Sequence, residues 1–340
     1  MSKPLPVIGI LLGDAAGIGP EIVARLLADD FFAPLCRPVL IGDLRVLRRA
    51  AEIAVPAGGL PSLPVATLVD GVRRLLDEGA DAVMFDQGDT DPDTVPFGRL
   101  SGISGRACLR MMDLGIALCR DGLLEGFAFA PFNKTALMMG GSDQPSELEY
   151  LARACGMTRG YCEINVLDGI WSTRVTSHVP IAEVSRAITT DAVYEAIELA
   201  NNTALRTGVA PRLGVAALNP HAGENGRCGR EEIDVIAPAI DRARAAGIDA
   251  SGPWPADTVF VRAFAGEFDA IVTMYHDQGQ IALKMRGFER GAAVDGGLPY
   301  PITTCTHGTA FDIAGQGKAW TSAFESAVRI VCGMAAHARE

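Results

Sequence analysis

Short apolar runs alternate with segments of helical periodicity along the whole chain, and this alternation constrains the fold more than any other feature. Eight apolar runs have the length and composition of strands, at residues 7–12, 38–41, 81–85, 127–130, 163–167, 174–177, 212–218 and 270–274. Apolar positions with helical spacing lie at about 20–28, 43–54, 103–118, 191–207, 230–246 and 319–334. Strands that alternate with helices form parallel sheets with helices on both faces. The sequence therefore predicts an α/β protein with a mostly parallel sheet.

Two residues mark the starts of predicted helices, and one stretch has no clear period. Pro20 suits the first turn of a helix, because the N–H that proline lacks would be unpaired there in any case. Asp43 follows a predicted strand and suits the N-cap of the next helix. Residues 55–80 are rich in proline and glycine, so we predict an irregular connection there.

The net charge, the lengths of the apolar runs and the cysteine content exclude several classes of protein. The 340 residues include 30 Lys and Arg against 41 Asp and Glu, for a net charge of −11, and no basic cluster predicts a nucleic-acid partner. The first apolar run is too short for a signal peptide, and no run reaches the roughly 18 residues of a membrane span. The eight cysteines contain no C-x-x-C pair. We therefore predict reduced, mostly buried thiols in a cytoplasmic protein that has no membrane partner.

Three of the five histidines directly follow predicted strands. His178, His221 and His276 lie at strand ends, where α/β sheets gather their ligands. Three imidazoles can converge on one divalent metal and leave coordination positions open for a substrate. The alternative is three independent histidines that form local hydrogen bonds. Asp277 beside His276 could be a fourth ligand, a partner that orients the ring, or a general base.

Two glycine-containing loops and two single residues are further candidates. The loop "GDAAGIGPE" at 13–21 allows close backbone approach and offers helix N–H groups to an anion, although a tight turn explains it equally well. The loop "THGTAFDIAGQGKA" at 306–319 could wrap an adenosine moiety or serve only as a connector. Asp257 could be an N-cap or project into a site. Lys134 could be solvated or hold an anion.

The motifs together resemble those of one family. "GDAAGIGPE", "APFNK", "TSHVP", "LNPHAGENG", "PADTVF", "YHDQGQIALK" and "HGTAFDIAGQGKA" occur in this order. The set resembles the 4-hydroxythreonine-4-phosphate dehydrogenase (PdxA-like) family from about residue 7 to 335. The resemblance implies a two-lobed α/β/α subunit like that of isopropylmalate dehydrogenase, a cleft active site, and a homodimer in which each partner contributes to both sites. We assign residues 1–130 and 297–340 to a cofactor-side lobe, and 131–296 to a lobe for metal, substrate and dimerisation.

The resemblance also implies the chemistry. Members oxidise a secondary alcohol β to a carboxylate with NAD or NADP, and the product loses carbon dioxide. The implied metal ligands are His178, His221 and His276; imidazoles favour zinc, with cobalt, nickel or manganese as alternatives. The implied catalytic residues are Asp257, Asp277 and Lys284. The implied cofactor-binding residues are Gly13, Asp14, His307, Gly308, Thr309, Ala310 and Asp312.

Four positions depart from the family pattern at the substrate end. Glu147 and Leu148 stand where biosynthetic members carry the His and Thr that bind the substrate phosphate. Ala293 and Ile302 stand where members carry Asn and Arg. Loss of an arginine removes a bidentate contact to phosphate, and an anionic side chain repels it. We therefore predict an unphosphorylated hydroxy acid as substrate, for example the carboxylated cis-dihydrodiol of terephthalate, which would be oxidised and decarboxylated.

Two alternatives stay open. The chain could be a 4-hydroxythreonine-4-phosphate dehydrogenase in which other cations, such as Lys134, Arg286 or Arg290, bind the phosphate. It could also be a non-catalytic metabolite-binding or metal-binding protein on the same fold, although such a protein would not need both the histidines and the candidate catalytic residues. A decarboxylating dehydrogenase of the isopropylmalate type would bind metal through carboxylates, so the histidines argue against it.

Overall fold

The structure is a computed structural model that describes residues 4–55, 58–287 and 289–339. It divides into two compact units, Met1–Thr158 with Leu298–Glu340, and Arg159–Gly297. The lobes assigned from the sequence stay a prediction, because compactness alone does not show which lobe binds which ligand.

The strands, in chain order, are β1 Val7–Leu11, β2 Arg37–Gly42, β3 Val65–Ala66, β4 Val83–Asp86, β5 Phe127–Phe129, β6 Cys162–Leu167, β7 Ile170–Arg174, β8 Leu213–Ala216, β9 Ala250–Trp254, β10 Ala270–Thr273, β11 Ala292–Gly296 and β12 Ile302–Cys305. The α-helices are α1 Gly19–Ala28, α2 Leu44–Ala54, α3 Val69–Asp77, α4 Gly102–Arg120, α5 Lys134–Gly140, α6 Glu147–Ala154, α7 Ile181–Ala187, α8 Thr190–Leu205, α9 Ala237–Ala245, α10 Ala256–Phe264, α11 His276–Gly287 and α12 Ser322–His337. A π-helical turn, Glu232–Ile236, leads into α9.

In the first unit the strands lie in the order β3-β4-β2-β1-β5-β12, and each neighbouring pair is parallel. The apolar run of β1 is buried except at its first residue, as expected for a strand covered on both faces. The predicted N-cap at Asp43 is confirmed, since its carboxylate accepts a hydrogen bond from the backbone N–H of Arg45.

The predicted irregular connection at 55–80 is wrong in its second half. The short strand β3 and the nine-residue helix α3 lie there. Val72 and Leu76 are spaced four apart and bury one face of α3. Two buried positions among many prolines and glycines gave too weak a periodic signal for the sequence to predict this helix.

In the second unit the strands lie in the order β11-β6-β7-β10-β8-β9. The pairs β7–β10, β10–β8 and β8–β9 are parallel, whereas β11–β6 and β6–β7 are antiparallel. A core that includes Phe260, Ile271 and Leu283 packs beneath this sheet. The strand predicted at 174–177 lies earlier, at Ile170–Arg174, so residues 175–178 form its exit loop.

The predicted fold class, an α/β protein with a mostly parallel sheet and helices on its faces, is confirmed. Within the described ranges, no helix has both the length and the apolar character needed to cross a membrane. The eight cysteines are free thiols, and five of them are buried.

Candidate active site

The ends of two parallel strands place two histidines side by side. Backbone pairing between β7 and β10 continues past the strands, where the N–H of Thr176 donates to the carbonyl of Met274 over 3.1 Å. His178 and His276 each lie two residues beyond this bond. Their ring centroids are 5.6 Å apart, with an interplanar angle of 44°. The register of the sheet therefore brings the two predicted ligands together.

A neighbouring carboxylate orients one of these rings. Nδ1 of His276 lies 2.7 Å from Oδ1 of Asp277, in the first turn of α11. A carboxylate on Nδ1 fixes the tautomer that leaves Nε2 free as a ligand atom. The side chains of His276 and Asp277 are 34% and 69% exposed, so both are open to a substrate. Of the three roles considered for Asp277, this contact matches ring orientation directly.

The third histidine lies in an unusual turn. His221 has φ 54° and ψ 33° and begins five consecutive residues in the left-handed region, four of them not glycine. Such a conformation costs roughly 1–2 kcal/mol per non-glycine residue, so the surroundings must hold it. The buried carboxylate of Glu232 anchors the segment just before this run, where its Oε1 accepts from the N–H groups of Leu218 and Asn219, over 2.9 and 2.7 Å. Backbone strain of this kind concentrates at functional sites.

Gly223 in the middle of this turn allows the close packing. A Cβ added there would lie 2.6 Å from Oε2 of Glu232. The glycine and the buried carboxylate are therefore matched to each other, and together they present His221 on an exposed loop.

The predicted set of three histidines is not assembled within one chain. Among residues 4–55, 58–287 and 289–339, no three His, Cys, Asp or Glu side chains are grouped so that they could hold a metal ion. His178 and His276 are together, and a role for His221 stays a prediction.

Helix α11 carries further polar groups of the "YHDQGQIALK" motif. Oε1 of Gln278 accepts from the N–H of Met274 over 2.8 Å, and its Nε2 donates to the carbonyl of Ala217 over 2.9 Å. This amide ties the first turn of α11 to the end of β8. Sequence reasoning overlooked Gln278, although its place between two candidate residues was a signal.

The other predicted catalytic residues lie on helices. Lys284 is exposed on α11, two turns after Asp277 and therefore on a similar face. Asp257 is exposed in the first turn of α10. The possible N-cap role of Asp257 is wrong, because the N-cap position belongs to Pro255. The catalytic roles of Asp257, Asp277 and Lys284 stay predictions.

The two predicted cofactor loops touch each other in the first unit. The N–H of Ile18 donates to the carbonyl of Thr309 over 3.1 Å. A Cβ on Gly17 would lie 2.8 Å from Cβ of Thr309, so only glycine permits this approach. Gly13 adopts φ 85° and packs against the backbone of Ala130. These contacts fix the first loop against the second.

Helix α1 clamps the second loop through two side chains that sequence reasoning missed. The carboxylate of Glu21, 1% exposed, accepts from the N–H groups of Gly315 over 2.6 Å and Gly317 over 2.8 Å. Arg25, one turn later, donates to the carbonyls of Gly317 and Ala319, each over 2.7 Å. The i, i+4 spacing of an acid and a base on a predicted helix was the available signal.

Asp14 is fully buried in the first loop. Its Oδ1 accepts from the hydroxyl of Ser104 and from the N–H of Ala16. Its Oδ2 is buried and has no hydrogen-bond partner among the described residues. Burial raises the pKa of Asp14 above its ordinary value, against the lowering effect of the two hydrogen bonds.

The remaining predicted cofactor residues follow β12 in one irregular loop. Nδ1 of His307 lies 3.0 Å from the carbonyl oxygen of Gly308, and a Cβ added at Gly308 would meet no described atom within 4 Å. Ala310 adopts φ 41°, and Asp312 is exposed. Their contacts with a cofactor stay predictions.

The predicted substrate residues have ordinary structural roles in the chain. Ala293 and Ile302 are buried in β11 and β12. Glu147 and Leu148 open α6 after the N-cap Ser146, where an acidic residue suits the positive end of the helix dipole. Lys134 is the exposed first residue of α5. Whether a substrate contacts these five residues stays a prediction.

Curated relatives and solved structures resemble the chain over nearly its full length. A Pseudomonas aeruginosa protein named "Putative 4-hydroxythreonine-4-phosphate dehydrogenase 2" is 46% identical over 99% of both chains. The D-threonate 4-phosphate dehydrogenase of Cupriavidus necator is 42% identical over 94% of both. The crystal structure of a 4-hydroxythreonine-4-phosphate dehydrogenase from Burkholderia phymatum is 37% identical and superposes with a TM-score of 0.81, covering 98% of this chain and 99% of the other.

These relatives overturn the predicted unphosphorylated, decarboxylated substrate. The terephthalate 1,2-cis-dihydrodiol dehydrogenase of Burkholderia xenovorans LB400 is only 26% identical, with a TM-score of 0.67 over 96% of this chain and 98% of the other. The prediction took Ala293 and Ile302 as the loss of an Asn and an Arg that contact the substrate phosphate in family members. Both side chains are buried within strands, so an apolar residue at either position also suits the packing of the sheet and does not by itself show the loss of a phosphate site.

The sequence model of one family matches residues 34–331, which is most of the chain. That family is described as pyridoxal phosphate biosynthetic protein PdxA. The predicted resemblance to PdxA-like oxidoreductases is confirmed at this level, and the chain belongs to the PdxA family.

Proposed function

We propose that the chain is a metal-dependent NAD(P) dehydrogenase that oxidises a hydroxyl group of a small phosphorylated hydroxy acid. The substrate class is that of 4-hydroxythreonine 4-phosphate and D-threonate 4-phosphate, after the names of its relatives. The observation that carries the proposal is the pair His178 and His276, with ring centroids 5.6 Å apart and Asp277 on Nδ1 of His276. A carboxylate-oriented histidine beside a second exposed histidine is an arrangement that suits a metal ligand pair.

His178 and His276 would hold the metal, and Nε2 of His276, which forms no hydrogen bond with the described residues, fits a ligand atom. When bound, a divalent metal lowers the pKa of a hydroxyl and stabilises negative charge on its oxygen. Imidazole ligands favour zinc over magnesium, with cobalt, nickel or manganese as alternatives. We propose a homodimer in which His221 of the partner subunit completes the set, since the left-handed turn presents this residue on an exposed loop.

The protein groups around the histidines can handle protons and anions. Asp277 and Asp257 are exposed carboxylates that could accept the hydroxyl proton. Lys284 is exposed on the same helix as Asp277 and can donate hydrogen bonds to a carboxylate or phosphate.

The loops of the first unit would bind the dinucleotide. The loop at 13–21 includes the N-terminus of α1, and the N–H groups at the start of a helix attract phosphate. The buried Oδ2 of Asp14 lacks a donor among described residues, and a cofactor hydroxyl or amide could supply one. Glu21 and Arg25 would hold the loop at 306–319 in its binding conformation.

Available cations can replace the phosphate ligands that Ala293 and Ile302 lack. Lys134 and Lys284 form no ion pair with any described residue, so each can bind an anion without losing a partner. Arg286 and Arg290 both form ion pairs with Asp168, at 3.6 and 3.1 Å, and Arg290 also pairs with Glu289 at 2.9 Å, so both arginines already have carboxylate partners. We propose Lys284, on the same helix as His276, as the anion ligand.

Steady-state reduction of NAD and NADP tests the proposal. Metal-free protein would be loaded with zinc, cobalt or manganese and offered 4-hydroxythreonine 4-phosphate, D-threonate 4-phosphate and both unphosphorylated parents. We expect turnover of at least one phosphorylated substrate, at least about tenfold lower kcat/KM for its parent because the phosphate contacts are lost, and none without metal. Equal kcat/KM for a substrate and its parent would contradict the phosphate assignment. Cofactor binding without any turnover would instead favour a non-catalytic binding protein.

A further inference from the structure

We infer that Arg174, Asn165 and Gln280 form a positioning network that fixes the spacing of His178 and His276. The inference rests on the proposed function, because it assigns these residues a task at the proposed metal site. The network begins at Arg174, the last residue of β7, whose side chain is 7% exposed. Its Nε donates to Oγ of Ser177 over 2.9 Å, and Ser177 directly precedes His178. The guanidinium therefore restrains the backbone that presents His178.

Asn165 joins this arginine to the helix that carries His276. Its Oδ1 accepts from Nη1 of Arg174 over 3.3 Å and also from Nε2 of Gln280. Gln280 lies one turn after His276 on α11. Asn165, itself 4% exposed on β6, is thus the shared acceptor between the two histidine-bearing segments.

Glu163 closes the network and balances its charge. Its Oε1 accepts from Nη2 of Arg174 and from Nδ2 of Asn165, each over 3.3 Å. Every nitrogen of the guanidinium therefore has a partner within the protein. Three of the five guanidinium N–H groups are thus hydrogen-bonded, one from each nitrogen, and for a buried charge the loss of one such partner is costly. This closure and the low exposure make Arg174 a positioning residue rather than a substrate ligand.

The network explains one departure from the family pattern. Ala293 pairs directly with Asn165 across β11 and β6, so the two side chains lie on the same face of the sheet. A small side chain at 293 leaves room for Gln280 to reach Asn165, whereas a second amide there would compete for the same hydrogen bonds. Ala293, which stands where family members carry Asn, thus accommodates the network.

Metal binding to the metal-free protein tests the inference. Arg174→Met, Asn165→Leu and Gln280→Leu would be titrated with Zn²⁺ and Co²⁺ by calorimetry, and the visible absorption of the Co²⁺ forms recorded. We expect metal affinity to fall about tenfold or more, as for other residues that orient metal ligands, with an altered Co²⁺ spectrum. Arg174→Lys keeps the positive charge but cannot donate to all three acceptors in the same geometry. Its metal affinity should therefore fall less than that of Arg174→Met.

Arg212→Met is the matched control. The guanidinium of Arg212 also donates to protein acceptors, in two hydrogen bonds to the carboxylate of Asp269, but Arg212 lies just before β8, at the end of the sheet opposite to the histidines. Its removal should leave metal affinity within about twofold of the wild type. If Arg174→Met does not fold, as judged by circular dichroism, Gln280→Leu decides, because Gln280 is only partly buried.

Two failures are distinguishable. If the wild type binds neither Zn²⁺ nor Co²⁺, the proposed function fails, and the positioning role falls with it. If the wild type binds metal and folded Arg174→Met and Gln280→Leu bind it with unchanged affinity and spectrum, the network has no positioning role. A rise in substrate KM with unchanged metal affinity would likewise overturn the inference and make Arg174 a substrate ligand.

Discussion

The proposed nucleotide loops and the proposed histidine site are built in opposite ways. The nucleotide loops, at 13–21 and 306–319, are held by buried side chains. The most buried is Glu21, and each of its carboxylate oxygens accepts a hydrogen bond from a backbone N–H of the protein. At the histidine site the candidate side chains are exposed, and Asp277 is open over 69% of its surface. The first region presents mainly backbone, and the second presents mainly side chains.

The difference follows from what each region would have to do. Backbone N–H groups bind phosphate well only when the loop is rigid, so buried clamps such as Glu21 and Arg25 serve recognition. A metal ligand or a proton acceptor must keep its reactive atom free. The residues that fix its position must therefore bind other parts of the same segment, as Asn165 and Arg174 do. Mutations in the two regions should therefore affect different kinetic constants.

The largest expected effect is at the histidine site. His276→Ala should lower kcat with metal present by at least about a thousandfold, because it removes a proposed ligand whose metal would stabilise charge worth several kcal/mol. The KM for NAD(P) should change little, since the nucleotide loops are untouched. Steady-state kinetics with metal titration measures both constants.

His337→Ala is the control for this substitution, because His337 lies in the last turn of α12, in the other unit. Its kinetics should match those of the wild type. Full metal-dependent activity in His276→Ala would remove the proposed metal site.

At the nucleotide loops we expect a smaller effect, on the KM for NAD(P) and not on metal binding. Glu21→Gln replaces a carboxylate that accepts from Gly315 and Gly317, so one glycine N–H would face an amide NH₂ instead of an acceptor. Hydrogen bonds to a charged group contribute about 1.5–3 kcal/mol each. The KM for NAD(P) should rise by roughly tenfold or more, with metal affinity unchanged in calorimetry.

Glu125→Gln is a matched control in the same unit. Glu125 also anchors backbone, accepting from the N–H of Val7 over 2.8 Å, but it lies outside both loops. It should lose stability without a change in the KM for NAD(P). If Glu21→Gln binds NAD(P) normally, the loop at 306–319 does not need its clamp, and the contrast between the regions disappears.

Much of the fold could be predicted because it depends on local patterns. The apolar runs located β1, β2 and β10 to within one residue at each end, and Asp43 was recognised as an N-cap from its place after a strand. The prediction missed α3, because its two buried apolar positions lie in a segment whose prolines and glycines indicate an irregular connection. Of the two roles considered for Asp257, the N-cap was wrong, since nothing local distinguishes an N-cap from a first-turn residue.

The site was only partly predictable, because its supports depend on distant residues. His178 and His276 could be proposed from their position after strands, and parallel pairing makes such ends adjacent. Glu21 and its partners are almost 300 residues apart in sequence, and no local pattern connects them. Asn165 appeared only as an ordinary strand residue, since the contacts that define its role come from another strand and a helix.

The smallest expected effect concerns stability at the nucleotide loops. Burial raises the pKa of Asp14 in the folded protein above its unfolded value. Between the two pKa values the folded state binds the proton more tightly, so stability falls as pH rises through this interval and the loss is complete above it. Asp14→Asn removes the charge but keeps an acceptor for Ser104 and Ala16. The variant should be more stable than the wild type at pH 8, by about 1–3 kcal/mol, and the difference should vanish at acidic pH.

Thermal unfolding at several pH values, with and without NAD(P), measures this effect. If the buried Oδ2 of Asp14 accepts a bond from the cofactor, NAD(P) should raise the melting temperature of Asp14→Asn less than that of the wild type. Asp14 would then lower the stability of the free protein and strengthen the binding of NAD(P), a combination that is common at functional sites. A less stable Asp14→Asn at pH 8 would show that the carboxylate is charged and well compensated in the folded protein. The nucleotide loops would then be fully satisfied without a cofactor, and the contrast with the open histidine site would be sharper still.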